Sequence, residues 1–202
     1  MNTIEVLVPG YSFAMEKDGV IRASGTSTLV NADGQYILVD TLGPWDSKQL
    51  VQALEERGLN PDDINIVIGT HGHPDHVGNL NLFTSAKLHF VGHSIYQDDR
   101  YKDHPFKDGV PYQISQNVQI IPTPGHTLSC ISVMVKNVAK YGTVVIAGDL
   151  FENENDLTDE SIWKNAGSED PKQQLISRAK VLSTAKYIVP GHGNIFQVPP
   201  DV

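Results

Sequence analysis

The segment Thr70-His71-Gly72-His73-Pro74-Asp75-His76 constrains this chain more than any other. Three imidazoles and one carboxylate stand within the six residues 71–76. An apolar run, residues 64–68, leads in. Gly69 and Gly72 interrupt regular backbone, and Val77, Leu80 and Phe83 then recur at helical spacing. The segment is therefore expected where a buried strand ends and a helix begins. Side chains alternate along extended backbone, so His71 and His73 should point the same way, while Asp75 and His76, one turn later, can aim elsewhere. That arrangement suits two metal ions side by side. A histidine-rich surface loop would account for one such residue, but not for three with an aspartate at a strand-to-helix junction.

Around this segment the chain alternates short apolar runs with turn residues. Residues 4–8 read as a strand stopped by Pro9 and Gly10. Residues 11–18 read as a loop whose Tyr11, Phe13 and Met15 either tip a hairpin packed on the core or form a flap over the site. Residues 26–30 and 35–39 flank Ala32-Asp33-Gly34, a hairpin signal. The second run closes on Asp40. A carboxylate that ends a buried strand must be paired or hydrogen-bonded; it either caps a turn or orients a metal-ligating histidine, and the second role is preferred. A helix over about residues 47–57 opens at Pro44-Trp45-Asp46 and stops at Gly58, with Leu50, Ala53 and Leu54 on its buried face.

Residues 87–91 form another expected strand. Residues 97–109 are a long polar loop that could rim a site and offer Arg100, Lys102, His104 and Lys107 to an anionic substrate. Strands are expected at 118–121, 130–135, 143–147 and 187–189, and helices at 159–165 and 171–183. The longer helix has Leu175, Ala179 and Leu182 as its buried stripe. A pattern recurs: His71, His126, Asp149 and His192 each follow an apolar strand, and each has Gly or Pro beside it.

At 202 residues the chain fits one domain, 1–202, with room for a sizeable core. A single cysteine, Cys130, precludes an internal disulfide, so the fold does not depend on an oxidising compartment. No run approaches the roughly 18 apolar residues of a membrane helix, and the opening MNTIEVLVPG lacks the basic and apolar parts of a signal peptide. The expectation is a soluble protein of the cytoplasm, with the nucleus as a second compartment and no membrane partner. A net charge of −9 makes a poor general binder of nucleic acid, although bound metal can supply positive charge in a narrow groove.

Leu38-Val39-Asp40, the 70–76 segment, Pro124-Gly125-His126-Thr127, Ala147-Gly148-Asp149 and Pro190-Gly191-His192-Gly193, in this order, resemble the metallo-β-lactamase fold superfamily. The resemblance implies an α/β fold, a four-layer αββα sandwich with the site at one edge. It implies that His71, His73 and His126 hold one metal ion, that Asp75, His76 and His192 hold a second, and that Asp149 bridges them. Asp40 would orient a histidine ligand, and Asp75 would orient the attacking water and move its proton. Two divalent ions are expected, zinc ahead of iron or manganese. Zinc β-lactamases with a cysteine ligand differ, since Cys130 lies beside His126 and reads as a core residue.

Such a centre performs hydrolysis, and the fold alone does not choose the substrate. Val77-Gly78-Asn79-Leu80, Gly142-Thr143-Val144-Val145, Asp149-Leu150-Phe151-Glu152 and Ser168-Glu169-Asp170-Pro171 are similar to one branch of the family. That likeness implies an endoribonuclease acting on single-stranded RNA in 3′-end processing of histone pre-mRNA. The alternatives are a glyoxalase II-like thioesterase acting on a small thioester, and a metal-binding protein without catalysis. A homodimer is expected, because the apolar residues 11–15 and the region of Trp163 need cover.

Overall fold

Apolar runs without polar alternation form strands buried on both faces, and here they make the middle of two stacked sheets. The computed structural model describes residues 2–15 and 19–200; the tip of the expected flap, 16–18, lies outside the described residues. In chain order the strands are β1 (Thr3–Val8), β2 (Tyr11–Met15), β3 (Val20–Ser24), β4 (Ser27–Ala32), β5 (Gln35–Val39), β6 (Ile66–Gly69), β7 (Leu88–Val91), β8 (Ser94–Gln97) and β9 (Arg100–Lys102). The second half supplies β10 (Tyr112–Gln113), β11 (Val118–Pro122), β12 (Ile131–Val138), β13 (Gly142–Gly148), β14 (Tyr187–Pro190) and β15 (Phe196–Gln197). The α-helices are α1 (Ser47–Glu55), α2 (Pro74–Val77), α3 (Ser161–Asn165) and α4 (Pro171–Leu182).

One sheet runs β1-β4-β5-β6-β7-β8-β9 and the other β10-β11-β12-β13-β14-β15, while β2 and β3 form a separate hairpin. Period-two alternation sorts the core. Ile37, Val39, Ile66 and Ile68 of the first sheet meet Val133, Val144 and Ile146 of the second in the central layer. Their neighbours Leu38 and Val67 turn outward, against Leu50 and Leu54 of α1. Val145 and Ile188 of the second sheet turn outward against Val181 of α4. The result is the αββα sandwich. The Asp33-Gly34 turn is left-handed at both residues, φ 52° and 80°, and joins β4 to β5 as the expected hairpin, with Ala32 opposite Gln35.

Several elements differ from expectation. Tyr11–Met15 is a strand rather than a loop. The helix after the histidine segment stops at Val77, because Gly78 N–H donates to Leu42 O and the Asn79 amide donates to Thr41 O and Gly43 O. The expected polar loop contains the edge hairpin β8–β9 and a fully buried Phe106. The short helix begins at Ser161 rather than Asp159, whose carboxylate accepts from Ser161 N–H. Trp163, read as needing cover from a partner, is itself completely buried.

The largest difference is in α4. Leu175 and Ala179 lie on its exposed side and only Leu182 is half-buried against the core, whereas Gln174, Ser177, Arg178 and Val181 face inward. The polar residues are buried because carbonyls of other segments need donors there. Gln174 donates to Asp149 O at 3.0 Å, Ser177 to Pro124 O at 2.7 Å and Arg178 to Leu150 O at 2.8 Å. The helix thus props the loops that carry Asp149 and His126.

Candidate metal centre

Open α/β sheets place functional residues beyond the carboxyl ends of their strands. Here β5 runs parallel to β6, and β13 parallel to β14. Asp40 follows β5, Thr70 and His71 follow β6, Asp149 follows β13, and His192 stands two residues beyond β14. The turn after β11 carries His126. All seven expected ligand residues meet at this edge, in two groups: His71, His73, His126 and Asp149, and Asp75, His76 and His192.

In the first group His73 Nδ1 lies 2.9 Å from His71 Nε2 and 3.1 Å from His126 Nε2. Asp149 Oδ2 closes it at 3.5 Å from His71 Nε2 and 3.3 Å from His126 Nε2. In the second, Asp75 Oδ2 is 3.7 Å from His76 Nε2 and 3.9 Å from His192 Nε2. Asp149 reaches this group too, with Oδ1 3.0 Å from His76 Nε2 and Oδ2 3.4 Å from His192 Nε2. Donors around a tetrahedral ion at about 2.1 Å stand about 3.4 Å apart, so both groups have the spacing of a coordination shell.

The far side of each ring decides which nitrogen faces the centre. His76 Nδ1–H donates to Asp40 Oδ2 at 2.8 Å, and His192 Nδ1–H donates to Ser24 O at 3.1 Å. His71 Nδ1–H points at Thr70 Oγ1, 3.1 Å away, whose own proton goes to Asp40 Oδ2 at 2.9 Å. These tautomers follow from the partners, and they leave three Nε2 lone pairs aimed inward. His76 Nε2 and Asp149 Oδ1 are buried 3.0 Å apart in an orientation that forms no hydrogen bond, and neither has another hydrogen-bond partner among the described residues. Unpartnered buried donors of this kind are what a metal ion satisfies, so the residues fit a pair of divalent ions.

Asp40 is buried in a left-handed backbone conformation, φ 59°, and also accepts from Thr70 N–H at 2.7 Å. One carboxylate thereby sets the rings of His71 and His76. Two glycines allow close approach: a Cβ at Gly25 would meet the His76 ring at 2.8 Å, and one at Gly191 would run into the Asp149 carboxylate. Cys130 is buried, and burial pushes its thiol up to about 12, consistent with a core role.

Burial disfavours the charged form of every group here, but neighbours decide the outcome. Burial holds His71 well below the usual histidine range, helped by the charge of His76. For His76, burial is outweighed by Asp149 and Asp40, which hold it well above that range. For His192, burial is likewise outweighed by Asp149, which brings it to about 9. Asp149 stays well below the carboxylate range because the charges of His76 and His192 exceed its own burial penalty.

Glu152 escaped the sequence reading as a functional residue. It is buried in a third group with Asp149 and His192, and burial together with the Asp149 charge pushes its carboxyl up to about 9. An acidic residue three positions beyond the strand-end aspartate, after Leu150 and Phe151, was the available signal.

These directions fix how the protein behaves when stripped of metal. The proton on His192 stabilises the fold fully below the unfolded value of 6.5, and that contribution is lost as pH rises through 9. Glu152 is neutral in the fold but ionises near 4.5 when unfolded, so its contribution also falls as pH rises towards 9. Chelator-treated protein should therefore melt roughly 5 °C or more lower at pH 9 than at pH 6.5 by circular dichroism. Zinc should oppose the trend, because ligands must shed protons to bind it. A flat melting temperature over that range contradicts the charge pattern.

Two surface openings are lined by chain neighbours of centre residues, though by none of the seven ligand residues themselves. A cavity of about 510 Å³ beside His126 is lined by His93, Phe106, Lys107, Pro124 and Leu128 among others. Of the four basic residues offered by the polar segment, Lys107 reaches this cavity, Arg100 sits within 3.6 Å of Asp98, and His104 contacts Val110 O. The second opening, about 420 Å³, is lined by Tyr11, Ile21, Arg22, Ala23, Trp45 and Asp46.

The family model of the metallo-beta-lactamase superfamily matches residues 20–114. Metallo-beta-lactamase domain-containing protein 1 of Xenopus laevis is 43% identical over 98% of this chain and 82% of its own length. The human protein of that name is 45% identical over 97% of this chain and 82% of its own. The chain belongs to the metallo-β-lactamase superfamily. A solved N-acyl homoserine lactone hydrolase with product at its catalytic metal centre has the same fold at 18% identity, with a TM-score of 0.68 over 95% of this chain and 92% of that one. As a metallo-β-lactamase superfamily hydrolase, the protein carries His/Asp clusters that could hold two metal ions. No helix among the described residues is long and apolar enough to cross a membrane.

Proposed function

We propose that this hydrolase is a dinuclear metal-dependent endoribonuclease that cuts single-stranded RNA. Its family branch extends the proposal to 3′-end processing of histone pre-mRNA. The groove lined by the β2–β3 hairpin and Trp45 carries the assignment. Trp45 and Phe13 are 60% and 47% exposed, Tyr11 and Phe13 lie with ring centroids 5.6 Å apart, and Arg22 stands 5.8 Å from the Phe13 ring. Exposed aromatic faces with an arginine among them stack bases and hold a phosphate without sequence preference. The hairpin that lines the groove is tied to the centre through its backbone: β3 ends at Ser24, whose carbonyl accepts from His192 at 3.1 Å, and Gly25 N–H donates to Asp75 O at 3.0 Å.

His71, His73 and His126 would hold one ion and Asp75, His76 and His192 the other, with Asp149 common to both. Bound there, a pair of divalent ions supplies Lewis acidity, lowering the pKa of a water and polarising the group under attack. Asp75, whose side chain is 17% exposed, is the most open carboxylate of the centre. It is placed to orient that water and take its proton out to solvent. Asp40 and Thr70 keep the His71 and His76 rings in register, and Arg22 meets the phosphate of the strand lying on the aromatic groove.

The cavity beside His126 favours a second reading, a carboxylic ester or thioester hydrolase. Its volume is that of a small-molecule pocket and Phe106, Pro124 and Leu128 could house an acyl group. Protein of defined metal content should cleave labelled single-stranded RNA, and His71→Ala should abolish the cleavage. Trp45→Ala should raise KM about tenfold with metal content unchanged, as expected for loss of one stacking partner. Turnover of a lactone or of S-lactoylglutathione with RNA left intact would move the assignment to the second reading.

A further inference from the structure

Glu152 is a carboxylate at the centre that the dinuclear arrangement above leaves without a task. It is 3% exposed, and its Oε1 has no hydrogen-bond partner among the described residues. Its Oε2 lies 3.8 Å from His192 Nε2, beyond hydrogen-bond length. An ionised carboxylate in that condition is costly, so Glu152 holds either a proton or a cation. None of the arginines or lysines among the described residues forms an ion pair with it; Arg178, the buried one nearby, is committed to Asp156 at 2.9 Å.

The backbone at Glu152 is also held in place. Glu152 N–H donates to Asp156 Oδ2 at 2.7 Å, and Glu152 O accepts from His192 N–H at 2.9 Å. Arg178 fixes Asp156 and lies 4.1 Å over the Phe151 ring. Rigid support of this kind is typical of a ligand rather than of a loosely buried acid. One donor atom from each of Asp149, Glu152 and His192 lies within 4.8 Å of the others, the same closeness that defines the two groups already described.

We infer that Glu152 is a further metal ligand: the cation held by His192 also draws on Glu152 and Asp149. The inference rests on the dinuclear centre proposed above. It makes the two pockets chemically different. His71, His73 and His126 present three imidazoles with one carboxylate, a set suited to zinc. Asp149 and Glu152 beside His192 present more oxygen than nitrogen.

Glu152→Gln separates this from a structural role, since glutamine copies the shape and neutrality of a protonated buried acid but is a poor metal ligand. The protein, stripped by chelator, is loaded with one equivalent of Zn²⁺ and then titrated with Mn²⁺ as a paramagnetic probe of the second site, with both elements analysed and Mn²⁺ affinity read by electron paramagnetic resonance. The expected wild type holds one zinc and one manganese. Glu152→Gln should keep the zinc and its melting temperature with metal bound at the zinc site, and bind manganese at least about tenfold more weakly. Glu152→Asp, one methylene too short, should also weaken manganese, and it decides the matter if the glutamine variant does not fold. Unchanged manganese affinity in either folded variant overturns the assignment of Glu152. Fewer than two ions in the wild type overturn the dinuclear reading itself, whatever the variants do.

Discussion

Replacing Asp149 by asparagine should leave a folded protein that retains at most one of two metal ions and hydrolyses any substrate more than about a hundredfold more slowly. That loss exceeds what removal of a residue that merely orients a ligand produces. The reason is position. Asp149 lies within 3.5 Å of ring nitrogens of His71, His76, His126 and His192, and so faces both groups of donors. Asparagine keeps one oxygen but turns an NH₂ towards nitrogens that need to stay unprotonated. The electrostatics change as well. Asp149 is the strongest influence raising His76 and His192 against their burial, so the variant should show a smaller loss of stability between pH 6.5 and 9 when metal is absent. Elemental analysis after dialysis against zinc, with melting curves across that range, checks both parts. Two bound ions and undiminished turnover would remove Asp149 from the bridging position.

Asp40 should matter nearly as much, through different physics. Asp40→Ala leaves Thr70 N–H, Thr70 Oγ1–H and His76 Nδ1–H without their acceptor in a site of almost no solvent exposure. Breaking a buried charged network of this kind costs about 3–5 kcal/mol, roughly a 10 °C fall in melting temperature for a chain of this size. Asp40→Asn is the sharper test. Its amide must face Thr70 Oγ1–H and His76 Nδ1–H, and donor then meets donor. His76 relieves the clash by moving its proton to Nε2, the nitrogen that faces Asp149 at 3.0 Å. The asparagine variant should therefore lose less stability than the alanine variant but bind its second metal ion about 10–100-fold more weakly. Equal metal affinity in Asp40→Asn and wild type would show that the Asp40 contact does not govern the His76 tautomer.

The β2–β3 hairpin and the His126 cavity give the two substrate readings separate addresses. One opening presents Trp45, Tyr11 and Arg22, and the other presents Phe106, Leu128 and Lys107. Variants in one opening should leave the other's chemistry intact, which makes the substrate question decidable by mutation as well as by assay.

What could be read from the chain alone was whatever lies close together along it. The 70–76 segment announces itself by density, the Asp33-Gly34 turn by its residue types, and the strands of both sheets by apolar runs ending at glycine or proline. The periodic rule failed where burial is polar. Gln174, Ser177 and Arg178 point inward because carbonyls of Asp149, Pro124 and Leu150, distant in sequence, require donors. Trp163 is covered by its own chain, and Glu152 acquires meaning only beside His192. That Asp149 faces four imidazoles at once was decided by tertiary structure, since no local rule sets the distance between residues 71, 126, 149 and 192. Sheet stacking does, by bringing strand ends from both halves of the chain to one edge, where unpaired donors can share a cation instead of water.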